Sequence, residues 1–226
     1  MAFSTETFRF LSQLTRNNQR DWFDAHKADY EQHVREPALA FIASMQAPMA
    51  SLSPQFLVSA KKLGGSLMRV YRDTRFSHDK TPYKTNIGIQ FRHVSGKDVH
   101  APGFYLHLSP DECFLAAGLW HPEPEALKQI RHYIADNPNA WQRAKSQRAF
   151  KTYFQLAGDS LQRMPRGFAD DHPHAEDLKR KDFIAVHGFD RAEALKPGFG
   201  KFCLSRYRAA EEFMHTLCDA VDVAWA

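Results

Sequence analysis

No stretch of this 226-residue chain approaches the ~18–20 consecutive apolar residues that a membrane-spanning helix needs. The opening residues, Met1-Ala2-Phe3-Ser4-Thr5-Glu6, lack the basic start and apolar run of a secretory signal. Cysteine is scarce: Cys113, Cys203 and Cys218 are an odd number, widely spaced, with no Cys-x-x-Cys pairing that would suggest zinc or a redox couple. A reducing compartment is the simplest reading, so the expected location is the cytoplasm and no membrane partner is expected. There is no Gly-x-Ser-x-Gly elbow and no Gly-x-x-x-x-Gly-Lys-Ser/Thr phosphate loop; Gly64-Gly65-Ser66 reads as a turn before a strand. Nothing calls for a cofactor. Internal repeats, low-complexity tracts and a linker are also missing, so one domain over residues 1–226 is the expectation.

What is present suits a packed core, with 43% hydrophobic residues and 18 phenylalanines. Ser4 can cap a first helix in which Phe8, Leu11 and Leu14 follow helical spacing, with Asn17-Asn18 as its stop. A second helix is expected from about Asn18, carrying Trp22, His26, Tyr30 and Val34, with a kink or a new helix at Pro37. After Pro54 the period changes. Phe56 to Ala60 and Leu67 to Tyr71 look like strands paired across Gly64-Gly65. Ile87, Ile89 and Phe91 alternate with Gly88, Gln90 and Arg92, while Phe104, Leu106 and Leu108 alternate with Tyr105 and His107. The turn residues Ser109-Pro110-Asp111-Glu112 predict a hairpin onto Cys113–Trp120. Helices resume at Pro124 and at Asn137-Pro138, Phe183 to His187 could rejoin the sheet, and a terminal helix carries Tyr207, Phe213 and Leu217. The fold class is therefore α+β, with a central, mainly antiparallel meander flanked by N-terminal and C-terminal helices.

The net charge of +4 is modest, but its distribution is uneven. Residues 61–84 hold seven cations (Lys61, Lys62, Arg69, Arg72, Arg75, Lys80, Lys84) against two anions, Asp73 and Asp79. Guanidinium groups match carboxylate or phosphate oxygens with forked donors, so Arg69, Arg72 and Arg75 could clamp an anion, with Lys80 and Lys84 as point charges. Asp73 would orient an arginine, and Tyr83 would close the site and supply a hydroxyl. Ideal pleating opposes convergence, because it sends Arg69 and Arg72 to opposite faces unless the strand ends or bulges there. The bland reading is that Asp73 and Asp79 are internal counter-ions in a polar loop.

Arg69, Arg72, Asp73, Arg75, Phe76, Asp79, Lys80 and Tyr83 together, with Asn17-Asn18-x-Arg20-x-Trp22-Phe23 and Arg166-Gly167-Phe168, carry a resemblance along nearly the whole chain. The protein resembles the domain-of-unknown-function family 2461, conserved hypothetical proteins of bacteria. The resemblance implies a fold and brings no catalytic residues with it.

Other chemistry is thinner. Asp170-Asp171-His172-Pro173-His174-Ala175-Glu176 has metal-compatible side chains in no metal-ligand spacing, and a solvated loop with a helix cap is the better reading, so no metal is expected. His107 and His187 could face a cleft as general bases, yet neither has a partner identifiable from spacing. Two functions compete for the basic segment. The first is binding a phosphorylated or carboxylated small molecule through Arg69, Arg72, Asp73, Arg75, Lys80 and Tyr83, with or without catalysis. The second, less favoured, is nucleic-acid binding, with Tyr71, Phe76 and Tyr83 stacking on bases. A third is a structural or interaction protein with no small ligand.

Overall fold

A computed structural model describes residues 3–75, 77–96 and 100–226. Helix α1 (Thr5–Arg16) opens on a reciprocal cap: the Ser4 hydroxyl accepts from the Thr7 N–H at 3.4 Å, and the Ser4 N–H donates to the Thr7 hydroxyl at 3.3 Å. Its face of Phe8, Phe10, Leu11 and Leu14 is buried. The second helical run starts later than expected, at Arg20: α2 (Arg20–Ala25), α3 (Lys27–Tyr30), a π-helical turn over Glu31–Arg35, α4 (Glu36–Ser44) and α5 (Gln46–Ala50). Asn18 stays outside it because its carboxamide is used elsewhere. Pro37 falls in the first turn of α4; it has no N–H to bond back along the continuous helical run, the His33 C=O four residues before it accepts the Thr7 hydroxyl at 2.7 Å, and the wide turn just before it absorbs the change of register.

The sheet has five strands, β1 (Ile87–Arg92), β2 (Gly103–Leu108), β3 (Cys113–Leu119), β4 (Gln155–Ala157) and β5 (Phe183–Gly188). Their order is β1-β2-β3-β5-β4 and every pairing is antiparallel. The first three strands are the expected meander; the last two form a further pair that returns with β5 against β3. Between them run α6 (Pro124–Asp136), α7 (Pro138–Ser146) and α8 (Arg148–Tyr153), then α9 (Ala175–Leu178); α10 (Arg191–Ala194), α11 (Phe199–Ala209) and α12 (Glu211–Ala220) follow β5.

Residues 56–60 and 67–71 do not form the regular paired strands that their composition suggested. They lie extended along the outer edge of β1, with isolated bridges Phe56↔His93 and Leu67↔Ile89, and Ser66 ties them to each other: its N–H donates to Ser59 C=O at 2.7 Å, and its hydroxyl accepts the Ser59 N–H at 3.0 Å and donates to Leu57 C=O at 3.3 Å. One six-residue strand offers a single free edge. Two segments share it, so neither has enough ladder to register as a strand, but together they cover an edge that would otherwise be exposed.

Alternation decides what each sheet face does. Ile87, Ile89, Phe91, Phe104, Leu106, Leu115, Ala117, Phe183 and Ala185 point to one side and are buried. Against that side pack α4, α11 and α12. The other side carries Gln90, Tyr105, Phe114, Ala116, Ile184 and Val186, and of these only Ala116 is fully buried. That half-exposed face is the floor of a cavity.

Candidate functional site

The cationic segment folds as an irregular hairpin. The Arg72 N–H donates to Pro82 C=O at 2.9 Å, and the Lys84 N–H donates to Val70 C=O at 2.7 Å, so residues 70–72 run antiparallel to 82–84. Asn18 fastens its second arm. The Asn18 carboxamide donates to Tyr83 C=O at 2.9 Å and accepts from Tyr83 N–H at 3.0 Å, as a neighbouring strand would. The Tyr83 ring stacks on Phe23 with 4.0 Å between centroids and is 3% exposed. Burial pushes its hydroxyl pKa upward.

Within the hairpin loop the charges pair locally. Arg75 reaches both Asp73 oxygens, at 3.0 and 2.7 Å, and these hydrogen bonds hold the carboxyl down to about 2. Arg72 bonds to Asp79 and to the Thr81 hydroxyl; the hydrogen bonds that Asp79 accepts from Arg72 and from the Thr81 N–H and hydroxyl hold its carboxyl down to about 2. The Lys80 ammonium donates to Thr74 C=O at 2.9 Å. Phe76 lies outside the described residues. The six residues singled out from the sequence therefore divide. Arg72 and Tyr83 line one cavity; Asp73, Arg75 and Lys80 lie in the exposed loop; Arg69 is exposed and close enough to Lys84 to act on its charge. Of the three arginines only Arg72 lines either cavity, while Arg69 also acts on the Asp73 carboxylate that Arg75 holds.

Two cavities flank Lys84. One, of about 400 Å³, is walled by Asn18, Arg72, Asp79, Thr81 and Asn86. The second, of about 480 Å³, lies over the open sheet face, with Phe114, Ala116, Ile184 and Val186 as an apolar floor and Gln90, Tyr105 and Glu112 as polar groups. Lys84 lines both. Its ammonium makes no hydrogen bond and no ion pair among the described residues, and burial, with the Arg69 charge added, pushes its pKa down.

A polar cluster stands at the end of the sheet between the cavities. The Tyr105 hydroxyl is 3.2 Å and the Asn86 amide nitrogen 3.4 Å from His107 Nδ1. The His107 ring stacks on Phe114 at 4.6 Å, and Glu112 stands 3.9 Å from its other nitrogen. Burial lowers the His107 pKa, the Glu112 charge acting against it, and burial raises Tyr105 to about 12. At neutral pH the cluster therefore holds a neutral imidazole and a neutral phenol. His187 is elsewhere, with Nδ1 2.8 Å from Tyr153 C=O and its ring packed near Phe154 and Phe202.

At the opposite rim, Trp120 is half-exposed and packs on His121, whose backbone has a positive φ of 47°. His121 Nδ1 is 2.9 Å from Asp182, and the Asp182 carboxylate also accepts the His121 N–H at 2.7 Å and the Asp159 N–H at 2.9 Å. Sequence reasoning had no means to find this pairing across 61 residues. In the Asp170–Glu176 segment, His174 is buried with Nε2 2.9 Å from Pro138 C=O. Among the described residues no three His, Cys, Asp or Glu side chains converge to hold a metal. All three cysteines are free, buried and raised in pKa by burial, and no helix of the described residues is long and apolar enough to cross a membrane.

Comparison with known proteins gives one match. A family model described as Conserved hypothetical protein (DUF2461) matches residues 6–215, nearly the whole chain. No curated protein and no solved structure matches.

Proposed function

We propose that this chain, which belongs to the conserved hypothetical family DUF2461, binds a small molecule that joins a carboxylate or phosphate to an apolar body. Lys84 and Arg69 take the anion, and the open sheet face takes the body. One observation carries the reading: Lys84 is half-buried between two cavities with no counter-ion among the described residues. A desolvated, unpaired ammonium costs stability that an arriving anion returns. Phe114, Ile184 and Val186 supply a partly exposed apolar floor of the kind that small-molecule sites use, with few polar groups fixing orientation. Arg72 takes part through Asp79 and Thr81, as a wall of the polar cavity.

Nucleic-acid binding through the same segment has less support. Of the aromatics that would stack on bases, Tyr83 is buried and Tyr71 is half-exposed. The buried, reduced cysteines accord with a cytoplasmic protein.

The test is thermal stability of the wild type and Lys84→Gln across carboxylated and phosphorylated metabolites, simple anions and short oligonucleotides. A ligand at ~100 times its Kd stabilises by ~2.7 kcal/mol. At roughly 2–4 °C per kcal/mol for a chain of this size, the melting temperature rises by about 5–11 °C. The reading expects a shift for amphipathic anions that Lys84→Gln loses. A shift for oligonucleotides alone, falling steeply with salt, would transfer the function to nucleic acid.

A further inference from the structure

The anion site just proposed leaves a chemical question open, since a lysine can hold an anion as a cation or attack a carbonyl as a free amine. We propose that Lys84 is a nucleophile that forms an imine with an aldehyde or ketone carried by the bound anion. The inference rests on the preceding reading for its substrate class and on geometry for its chemistry. Lys84 lines a cavity on either side and its ammonium holds no partner among the described residues, so a carbonyl carbon delivered from the sheet face meets it without displacing a protein contact. Amines become nucleophilic in proteins when they are desolvated against apolar surface or set beside another cation. Both conditions hold here: Phe114, Ala116 and Val186 floor the cavity, and Arg69 stands close enough to oppose the ammonium charge.

The titratable and charged groups facing this lysine from the two cavities are Arg72, Asp79, Tyr83, Tyr105 and Glu112, with Arg69 beside it. Neither carboxylate pairs with it: Asp79 is bonded to Arg72 and Thr81, and Glu112 stands nearest His107. Neutralisation of the amine is therefore unopposed by a close anion.

The step balances as follows. Lys84 first releases its proton to solvent. The amine lone pair then forms a C–N bond to the carbonyl carbon while the C=O π pair moves onto oxygen, which takes up a proton; one N–H proton leaves. The carbinolamine hydroxyl takes up a proton and leaves as water while the nitrogen lone pair completes the C=N bond, and the iminium so formed releases its remaining N–H proton to solvent. The sum is amine plus carbonyl giving imine plus water, with no oxidant or reductant. The Tyr105 hydroxyl, 3.2 Å from His107, is a neutral proton donor lining the same cavity and is suited to the departing hydroxyl.

Pyridoxal 5′-phosphate is the probe, because it combines an aldehyde, an anion and an aromatic body. The wild-type protein is exposed to substoichiometric probe at neutral pH, the imine is trapped with cyanoborohydride, and the modified lysines are mapped by peptide mass spectrometry. Lys84 should be labelled first, several-fold ahead of the exposed Lys61 and Lys62, and excess inorganic phosphate should slow it. In Lys84→Arg that label should vanish and the slower labels remain. Labelling of Lys84 no faster than Lys61 overturns the inference, even where anions still raise the melting temperature through Lys84. Fast labelling of Lys84 that phosphate leaves unchanged, equal for pyridoxal and its phosphate, keeps the nucleophile and removes the anion site.

Discussion

Removal of the Asp182 carboxylate should be among the most costly single changes near the sheet. Its side chain is 1% exposed and accepts two backbone donors, the His121 N–H at 2.7 Å and the Asp159 N–H at 2.9 Å, with His121 Nδ1 also 2.9 Å away. The imidazole is half-exposed and can turn to water. The two backbone donors are fixed where they are in part-buried hydrogen bonds, and a donor left without a partner costs at most about 1–3 kcal/mol. Water entering the space vacated by Asp182→Ala should recover part of that, leaving a loss of about 2–4 kcal/mol. Gly158 tightens the constraint: its φ is +95° and an added Cβ would lie 2.4 Å from Asp182 Cβ, so this backbone is built around the aspartate and cannot easily follow a smaller side chain. Urea denaturation should show a lower midpoint at unchanged slope, and the melting temperature should fall by roughly 4–16 °C at 2–4 °C per kcal/mol. Asp182→Asn, which keeps one acceptor but turns an NH₂ toward a donor, should fall between. His121→Ala spares both backbone bonds and should cost less than about 1 kcal/mol. A loss below about 1 kcal/mol in Asp182→Ala, or an equal loss in His121→Ala, would refute the assignment of the energy to the backbone donors.

Lys84→Met should stabilise the unliganded protein by about 0.5–2 kcal/mol, measured by chemical denaturation, because it removes an unpaired, half-buried charge while keeping the stem that fills the space. Gly118→Ala should destabilise by at least about 3 kcal/mol: φ is +133° and the new Cβ would sit 2.0 Å from Phe183 C=O, forcing β3 from β5, so a variant with normal stability would contradict the pairing. Burial raises the Asp177 carboxyl, but hydrogen bonds from Lys145 and Trp141 with the charges of Lys145 and Arg180 outweigh it, and the net pKa lies below 3.8. Asp177 therefore contributes stability that is fully present above pH 3.8 and lost as the pH falls through its lower folded value; Asp177→Asn should flatten the acid limb of a stability-versus-pH curve.

Those elements whose cause is local are legible in the sequence. Ser4 caps α1 because its partner is three residues away, β1 and β2 alternate in the sequence because one face of each packs on the core, and β3 follows from the turn residues Ser109–Glu112. The Arg75–Asp73 pair, two residues apart, was readable as an internal counter-ion arrangement. What distance hides was not readable. Asn18 holds Tyr83 across 65 residues, so the helix expected from Asn18 begins at Arg20 and the tyrosine offered as a hydroxyl donor is packed on Phe23. β4 is three residues long and its outermost residue is exposed, so it gives too short a pattern to detect. The open sheet face was half visible. Gln90 and Tyr105 stood at the polar positions of their strands, but Phe114, Ile184 and Val186 look like core residues until the helices are seen to cover only the opposite side.

The local pairings also narrow where function can lie. Two acids serve seven cations in residues 61–84, and the structure assigns them: Asp73 to Arg75 and Asp79 to Arg72. Lys80 is taken up by a carbonyl, and Lys61 and Lys62 are exposed, where a solvated charge costs little. Of these cations only Arg69 and Lys84 have no ion pair among the described residues, and of the two only Lys84 lines the sheet cavity and has lost much of its water. A loop that neutralises its own arginines cannot also clamp a ligand with them at full strength, because each guanidinium would first have to give up a charge-assisted hydrogen bond. Lys84 has no such bond to surrender. Its gain on meeting an anion, or on losing its proton to become an amine, is undiminished by competition, which is why the lysine at the hairpin's end has the stronger claim to chemistry than the arginines at its tip.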